Sequence, residues 1–453
     1  MIKLSNLFYL FLITLHLNLN SSCSSKNPSS DESQTAVSSP LTRLAADGTK
    51  VVNTSGEEVI LRAVGLGGWL LQEGYMLNPN GSDIGTQWQM KKAYYDEGLT
   101  FEEVASFYQN WRDNFITQAD INDIASMGFN AVRLPMHYEL FFTSEQRYLR
   151  NQVIQSPEKI DEYISGLSNW MDQGDLFRSP DELEGIKVID RLLDWCGEKN
   201  MYVILDLHAA PGGQGTDSNI ADILVKNDLW NRKDNKGRLI YQDVTLKLWE
   251  MLARRYIKDD RIAFYDLINE PNNVPSNLPI HNLFESLINR IRSLGDTHLI
   301  MIEGNEWGNN YDHMVPIAFS QNQNLIYNAH RYWIPVEEDT VPDPNPNQIN
   351  RIVNLIAFRE KWNVPVWVGE TGENNPQWLK QNIKKLEQAN IGWCHWTYKR
   401  FDESENAALR HINGQYPTKG KSVIQEVLKN IHFEHTIPNN TTIQSVAPNE
   451  INL

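Results

Sequence analysis

Two glutamates, Glu270 and Glu370, each follow a short, strongly apolar segment of the chain. A buried strand that ends abruptly in a carboxylate delivers a single acid to the rim of a sheet. If the two rims coincide in space, one acid can protonate a leaving oxygen while the other attacks an anomeric carbon, which is the chemistry of glycosidic bond cleavage. The two segments therefore predict a pair of catalytic carboxylates.

Such a pair needs a scaffold that brings distant strand ends together. Eight strand-like segments occur in order, separated by helical patterns, and several are apolar at consecutive positions, as buried parallel strands are. This order predicts an α/β fold, a (β/α)8 TIM barrel over residues 43–433. The predicted strands are Val59–Gly67, Asn130–Pro135, Tyr202–Leu207, Ile262–Asn269, Leu299–Gly304, Leu325–His330, Val364–Glu370 and Ile391–Trp396.

Two connections are unusually long, residues 138–184 after the second strand and residues 209–238 after the third. In a parallel barrel both are βα-loop insertions on the catalytic face, where loops shape the active site. We expect substrate specificity to reside there. Between the first two strands, Thr117 followed by Asp120 predicts the start of a helix.

Polar residues stand at most of the predicted strand ends, and barrel geometry would bring them to one face. Taken singly, each has a structural interpretation: an ion pair for an arginine, a buried hydrogen-bonded ring for a histidine, and a core position for a tryptophan. Together with the two glutamates they favour a binding site. We interpret Asp206 and Asp266 as inward structural partners, while Glu303 has no assigned role. The strand-end residues are Arg133, His208, Asn269, His330, Tyr332 and Trp396.

The Asn269-Glu270-Pro271 segment resembles the acid/base signature of glycoside hydrolase family 5, the cellulase family, and Val366–Thr371 resembles its nucleophile strand. The resemblance spans about Leu61 to Lys399. It implies that Glu270 is the acid/base and that Glu370 is the nucleophile of a retaining mechanism.

The same resemblance implies roles for the surrounding residues. Asn269 would bind the sugar 2-hydroxyl, His208 would bind another hydroxyl, and Trp396 would form a platform under the ring. A guanidinium lowers the pKa of a nearby carboxyl, so Arg133 would keep the nucleophile ionised. Tyr332 could donate a hydrogen bond to the nucleophile, and His330 could orient the acid.

Gly65–Glu73 is similar to the exo-β-1,3-glucanase branch of the family, in which the glutamate binds the terminal sugar. Glu73 therefore favours an exo-acting β-glycosidase on a β-glucan or β-glucoside. An endo-β-1,4-glucanase or a related hemicellulase on the same scaffold stays open, as does transglycosylation. A non-catalytic surface glycan-binding lipoprotein is the alternative from a different class, which the presence of both glutamates disfavours.

Charge and motifs exclude other functions. The 453 residues carry a formal charge of −16, whereas nucleic-acid binding needs clustered Lys and Arg. The histidines are scattered singly without metal-ligand spacing, and there is no Gly-x-Ser-x-Gly elbow. We therefore expect no metal, no cofactor and no nucleic-acid partner. The expected partner is a β-linked glucan or glucoside substrate, and we expect the protein to be a monomer.

The N-terminus indicates export. Lys3 and the apolar run Leu7–Leu19 are typical of a signal peptide over residues 1–23, and the sequence around Cys23 is similar to a bacterial lipoprotein processing site. We expect lipidation at Cys23, a flexible tether over residues 24–42, and a periplasmic or cell-surface location with only this lipid anchor in the membrane. A plain secretory signal is the alternative.

Two further regions complete the organisation. The polar residues 434–453 predict a loose C-terminal tail. Cys196 and Cys394 have neither metal-ligand spacing nor a disulfide framework around them, so we expect buried free thiols.

Overall fold

The computed structural model describes residues 41–77, 84–335, 337–401, 407–414, 416 and 421–451. The predicted signal peptide and Cys23 lie outside the described residues, as does nearly all of the predicted tether. None of the helices in the described part combines the length and hydropathy that a membrane crossing requires.

Eight parallel strands close into a barrel, so the predicted (β/α)8 TIM barrel is confirmed. A hairpin precedes the barrel and a small three-stranded sheet follows it. In chain order the strands are β1 (Ala45–Asp47), β2 (Lys50–Val52), the barrel strands β3 (Arg62–Gly65), β4 (Ala131–His137), β5 (Tyr202–Ala209), β6 (Ile262–Asp266), β7 (Leu299–Ile302), β8 (Leu325–Arg331), β9 (Val366–Gly372) and β10 (Gly392–Trp396), and then β11 (Lys399–Arg400), β12 (Arg410–His411) and β13 (Ile437–Pro438).

Helices connect the barrel strands and cover their outer faces. The predicted start at Thr117 is confirmed, because Asp120 Oδ2 accepts the Thr117 backbone N–H at 2.7 Å. The helices are α1 (Gly74–Leu77), α2 (Gln87–Asp96), α3 (Phe101–Phe115), α4 (Gln118–Ser126), α5 (Ser144–Gln155), α6 (Ile160–Gln173), α7 (Glu184–Glu198), α8 (Ser218–Ala221), α9 (Ile240–Tyr256), α10 (Asn277–Ser293), α11 (Asn305–Gly308), α12 (Ile352–Trp362), α13 (Pro376–Gln388), α14 (Lys421–Asn430) and α15 (Asn440–Val446).

The core has two parts. A large layer lies between the strands and the helices, and a smaller cluster, which includes Ile204, Phe264 and Trp367, belongs to residues that alternate with that layer along the strands. Such alternation fills a barrel with side chains and leaves its carboxyl end for a site. Cys394 belongs to this inner cluster and Cys196 lies on α7; both are buried and free, as predicted.

The predicted loose tail is wrong. Strand β13 pairs antiparallel with β12, and α15 packs against α13 with Val446 fully buried. Beyond the helix, the Asn449 backbone N–H bonds to the Met127 carbonyl at 3.1 Å. The polar composition misled because Asn439 caps α15 through Thr442 N–H, so polar residues here form structure.

The two long insertions differ in what they contribute. The first holds α5 and α6, and among the described residues none from 138 to 183 lines the cavity at the carboxyl ends of the strands. The second carries α8, whose Asn219 and Ile220 do line that cavity. The first insertion supports the second, since Arg150 on α5 donates to Asp222 at the end of α8 at 2.5 Å.

Candidate active site

A cavity of about 350 Å³ opens at the carboxyl ends of the barrel strands. Seven of the nine predicted barrel-site residues line this cavity. Arg133 and Asn269 do not line it, but they are fully buried and contact residues of its wall. The structure thus brings all nine together. Those that line the cavity are Glu73, His208, Glu270, His330, Tyr332, Glu370 and Trp396.

Glu270 and Glu370 face each other across this cavity. Carboxylate oxygens of the two residues and a ring nitrogen of His330 all lie within 4.8 Å of one another. Strand β6, the fourth strand of the barrel, ends earlier than predicted, at Asp266. The chain then turns so that Glu270 has a left-handed φ of 47°. Such a conformation is costly for a residue with a Cβ and persists where the surroundings hold it in place.

Arg133 is the cation that contacts the Glu370 carboxylate. Its Nη1 donates to Glu370 Oε1 at 2.5 Å, and its Nη2 donates to Asp266 Oδ2 at 2.6 Å and to Asn269 Oδ1 at 2.8 Å. Asp206 Oδ2 lies 3.1 Å from the same Nη2. The two aspartates are therefore inward structural partners, as their sequence positions indicate, and they hold the guanidinium against Glu370.

Glu370 is held in its ionised form. Burial by itself would raise the pKa of its carboxyl, but His330 and Arg133 lower that pKa to about 2. Tyr332 Oη donates to Glu370 Oε2 at 2.8 Å. Both oxygens of the carboxylate are thus hydrogen-bonded, and the group is an anion at any physiological pH.

Glu270 has the opposite character. Burial raises the pKa of its carboxyl, His330 opposes this shift, and the negative charge of Glu370 adds to it. His330 Nδ1 lies 2.5 Å from Glu270 Oε1, so the ring contacts this carboxyl directly. The pKa values of two identical side chains are therefore shifted in opposite directions, which is what an acid and a nucleophile require.

A second group lines the other side of the cavity. His208 Nδ1 lies 2.7 Å from Asp206 Oδ2, and its Nε2 lies 3.6 Å from Glu73 Oε1. Burial disfavours the imidazolium, but Asp206 and Glu73 raise the pKa of His208 to about 10. His208 is therefore a cation that can donate a hydrogen bond, and Asn269 Nδ2 lies 3.4 Å from the same Nε2.

Trp396 stacks on the His208 ring, with centroids 5.3 Å apart and planes 5° from parallel. Its Nε1 donates to the Tyr75 hydroxyl at 3.0 Å. A Cβ at Gly65 or Gly67 would come within 2.6 or 2.7 Å of the indole. These two glycines of the Gly65–Glu73 segment are thus required because the tryptophan lies directly against their backbone.

Sequence reasoning missed two exposed tryptophans at the cavity, Trp307 and Trp333. Both have left-handed backbones, with φ of 56° and 57°. Each follows a barrel strand by a few residues, and that position is the signal that could have singled them out among the fourteen tryptophans.

The cluster of Glu270, His330 and Glu370 also has the donor spacing of a metal site. However, Arg133 and Tyr332 already donate to both oxygens of Glu370. A metal ion there would have to displace them beside a fixed guanidinium. The donor set therefore fits proton transfer better than metal binding.

The sequence of this chain is similar to those of known glycosidases. The model of Cellulase (glycosyl hydrolase family 5) matches residues 92–402. A beta-xylosidase of Phanerodontia chrysosporium is 27% identical over 79% of this chain and 70% of its own. Endoglucanase C of Acetivibrio thermocellus is 25% identical over 69% and 92%, and a glucan 1,3-beta-glucosidase of Blumeria graminis is 24% identical over 68% and 64%.

A solved structure of an endogalactoceramidase shares the fold, with a TM-score of 0.51 and 15% identity over 80% of this chain and 76% of its own. The family match covers more than half of the chain and includes Arg133, Glu270 and Glu370. The protein is a glycoside hydrolase and belongs to glycosyl hydrolase family 5.

Proposed function

We propose that this protein is a retaining, exo-acting β-glycosidase that cleaves β-glucans or β-glucosides, with Glu370 as nucleophile and Glu270 as acid/base. The observation that carries the proposal is the short approach of two carboxyls whose pKa values are shifted in opposite directions. Retaining enzymes place their carboxyl groups about 5–5.5 Å apart, whereas inverting ones leave about 6.5–9.5 Å for a water. One oxygen of each carboxylate lies within 4.8 Å of the other, and this short approach supports the retaining arrangement.

The reaction proceeds in two displacements. In the first, a Glu370 oxygen bonds to the anomeric carbon, the glycosidic bond breaks, and the leaving oxygen takes the proton of Glu270. Glu370 is then an uncharged ester, so it no longer raises the pKa of Glu270. The ionised Glu270 next removes a proton from water, whose oxygen bonds to the anomeric carbon while the bond to Glu370 breaks.

The neighbours of the two acids assist each displacement. Arg133 and Tyr332 hold the attacking carboxylate, and they stabilise it again when it leaves. His208, which lines the cavity, and Asn269, which lies 3.4 Å from it, are the proposed partners for the hydroxyls of the bound sugar. Contacts of this type strengthen as the anomeric carbon becomes cationic.

Exo-action is supported by Glu73. This side chain is 2% exposed and lines the cavity, and its Oε1 pairs with His208 Nε2 at 3.6 Å but makes no hydrogen bond among the described residues. A buried oxygen without a hydrogen bond is costly, and a sugar hydroxyl would supply one. The named relatives include both a glucan 1,3-beta-glucosidase and an endoglucanase, so the linkage and the mode of attack are what the experiment must decide.

The test is the product profile on defined β-1,3-, β-1,4- and β-1,6-glucans. The proposal predicts early release of monosaccharide with little loss of viscosity. Rapid viscosity loss with long oligosaccharides would identify an endoglucanase instead, in which Trp307 and Trp333 bind further sugar units. Glu73→Gln serves as the matched variant, because it keeps the shape and should raise KM for short glucosides.

A binding protein without catalysis is tested in the same assays. Glu370→Gln removes the nucleophile with almost no change in shape, so hydrolysis present in the wild type should vanish in this variant. Glycan binding without turnover in both proteins would support the non-catalytic alternative.

We also propose that the enzyme acts outside the cytoplasm, held by a lipid at Cys23. This proposal is supported by the signal-like residues 1–23 and the polar residues that follow them. Metabolic labelling with a radioactive fatty acid should mark the wild type and not Cys23→Ser. Equal labelling of both would overturn the anchor.

A further inference from the structure

We propose that Glu303 and Asn328 form a buried bridge that fixes the distance between the two catalytic carboxylates. Neither residue lines the cavity, so both are positioning residues. This inference rests on the proposed roles of Glu270 and Glu370 and adds the part of the fold that sets their spacing.

The bridge is a chain of three hydrogen bonds. Glu303, the residue after β7, accepts the Glu270 backbone N–H with Oε2 at 2.7 Å. Its Oε1 accepts from Nδ2 of Asn328, in β8, at 2.7 Å. Asn328 Oδ1 in turn accepts the backbone N–H of Gly369 at 2.7 Å. The chain thus runs from the acid itself to the residue immediately before the nucleophile Glu370.

The packing leaves the bridge little freedom. Both side chains are fully buried. A Cβ at Gly369 would come within 2.4 Å of Asn328 Oδ1, and one at Gly308 would come within 2.6 Å of Glu303 Oε2. Two glycines therefore give the bridging side chains their space, one of them directly before the nucleophile.

The bridge also accounts for the backbone of the acid. Glu270 has a left-handed φ of 47°, which a residue with a Cβ adopts only when neighbours compensate. Its N–H bond to Glu303 ties the backbone of this strained residue to the barrel wall. Loss of the bond would let the acid relax away from its position opposite Glu370.

The side-chain types follow from the donors. Glu303 receives an N–H on each oxygen, so a carboxyl group fits both positions, whereas an amide presents one acceptor and one donor. Asn328 must donate to Glu303 and accept from Gly369, which an amide does and an ionised carboxylate does not. Burial raises the pKa of Glu303 well above its ordinary range, and Asp266 raises it further.

The test uses Glu303→Gln, Asn328→Asp and the double variant. Glu303→Gln places two N–H donors opposite each other, and Asn328→Asp removes the N–H that donates to Glu303, so each single variant breaks the chain. We expect kcat to fall by about 100-fold, the size of effect that a displacement of about 1 Å produces, with a smaller change in KM. The double variant reverses the middle bond, because the new amide can donate to the new carboxylate while both backbone N–H groups keep an acceptor.

The double variant should therefore recover most of the lost kcat, because it keeps one carboxyl and one amide in the pair. A double variant as slow as the slower single variant, or a wild-type kcat in both single variants, would overturn the bridge. Asn130→Asp is the matched control. Asn130 bonds to Arg62 N–H and the Ile60 carbonyl at the opposite end of the barrel, so its loss should lower the melting temperature and leave kcat unchanged.

The outcome is separable from the proposed function. If the wild type hydrolyses no β-glycoside, or if Glu370→Gln keeps full activity, the proposed roles fail before the bridge is tested. If the wild type is active and only the rescue fails, the bridge alone is wrong. Melting temperatures of all variants distinguish slow folded enzymes from unfolded ones.

Discussion

Glu270 and Glu370 differ in what surrounds them, and that difference predicts the pH profile. The pKa of Glu370 is lowered to about 2, so the nucleophile is ionised above that pH. The pKa of Glu270 is raised, so the acid stays protonated up to that higher value. Activity should therefore rise through the low pKa, persist over acidic pH, and fall as pH rises through the raised one.

The measurement is kcat/KM against pH on a glycoside with a poor leaving group, over the range in which the enzyme stays folded. With an activated aryl leaving group, which needs no proton, the alkaline fall should disappear from the bond-breaking step in Glu270→Gln. An acidic limb that moves in Glu270→Gln while the alkaline limb stays would reverse the two assignments.

Arg133, together with His330, lowers the pKa of Glu370. Arg133→Lys keeps one positive charge but cannot reach Glu370, Asp266 and Asn269 together, because an ammonium lacks the planar fork. We expect kcat/KM to fall by roughly 100-fold, as for the loss of one charge-stabilising donor, and the acidic limb to move to higher pH.

Arg62→Lys provides the control for this prediction. Arg62 also makes a two-point contact, to Glu387 at 2.8 Å, but it lies at the start of β3, away from the cavity. It should leave kcat/KM and the pH profile unchanged. An equal loss in both variants would mean that the Arg133 effect is one of general stability.

The positions of residues at strand ends could be predicted from the sequence because a parallel barrel collects those ends on one face. Arg133, His330 and Tyr332 therefore lie where their positions indicate. Glu303 and Asn328 could not be assigned in this way. Their partners are backbone N–H groups of residues 33 and 41 positions away, and no local pattern encodes such contacts.

At the scale of elements, the C-terminal segment makes a direct prediction. A chain that ends at residue 433 lacks β13 and α15, so it uncovers the face of α13 on which Val446 and Ala447 are buried. We expect a melting temperature several degrees lower, because each buried aliphatic side chain contributes about 1.5–3 kcal/mol.

Circular dichroism against temperature measures this effect, with a chain that ends at residue 451 as the control. Equal melting temperatures for the two truncated proteins would restore the original prediction of a loose tail.

Elements with strong apolar periodicity could be predicted from the sequence, and the eight barrel strands are confirmed. The C-terminal helix could not, because its residues are mostly polar and its stability comes from the Asn439 cap and from packing on α13. The support that the first long insertion gives to the second could not be predicted from local sequence patterns either. Its contact with α8 runs through Arg150 and Asp222, which are 72 residues apart.

At the scale of the whole molecule, the buried thiols report on global unfolding. Burial raises the pKa of both Cys196 and Cys394, and neither is exposed. In a Cys23→Ser background, Ellman's reagent should not react with the native enzyme and should detect two thiols after denaturation. Rapid reaction of either thiol in the native enzyme would show that the barrel opens locally.

The central claim is that Glu370 forms a covalent glycosyl-enzyme. The most direct measurement is to incubate the enzyme with a 2-deoxy-2-fluoro analogue of a β-glycoside that it hydrolyses, and to locate the adduct by peptide mass spectrometry. The account predicts one sugar per enzyme, attached to Glu370, with loss of activity in parallel. An adduct on another carboxylate, or none on an enzyme that turns over the parent glycoside, would contradict it.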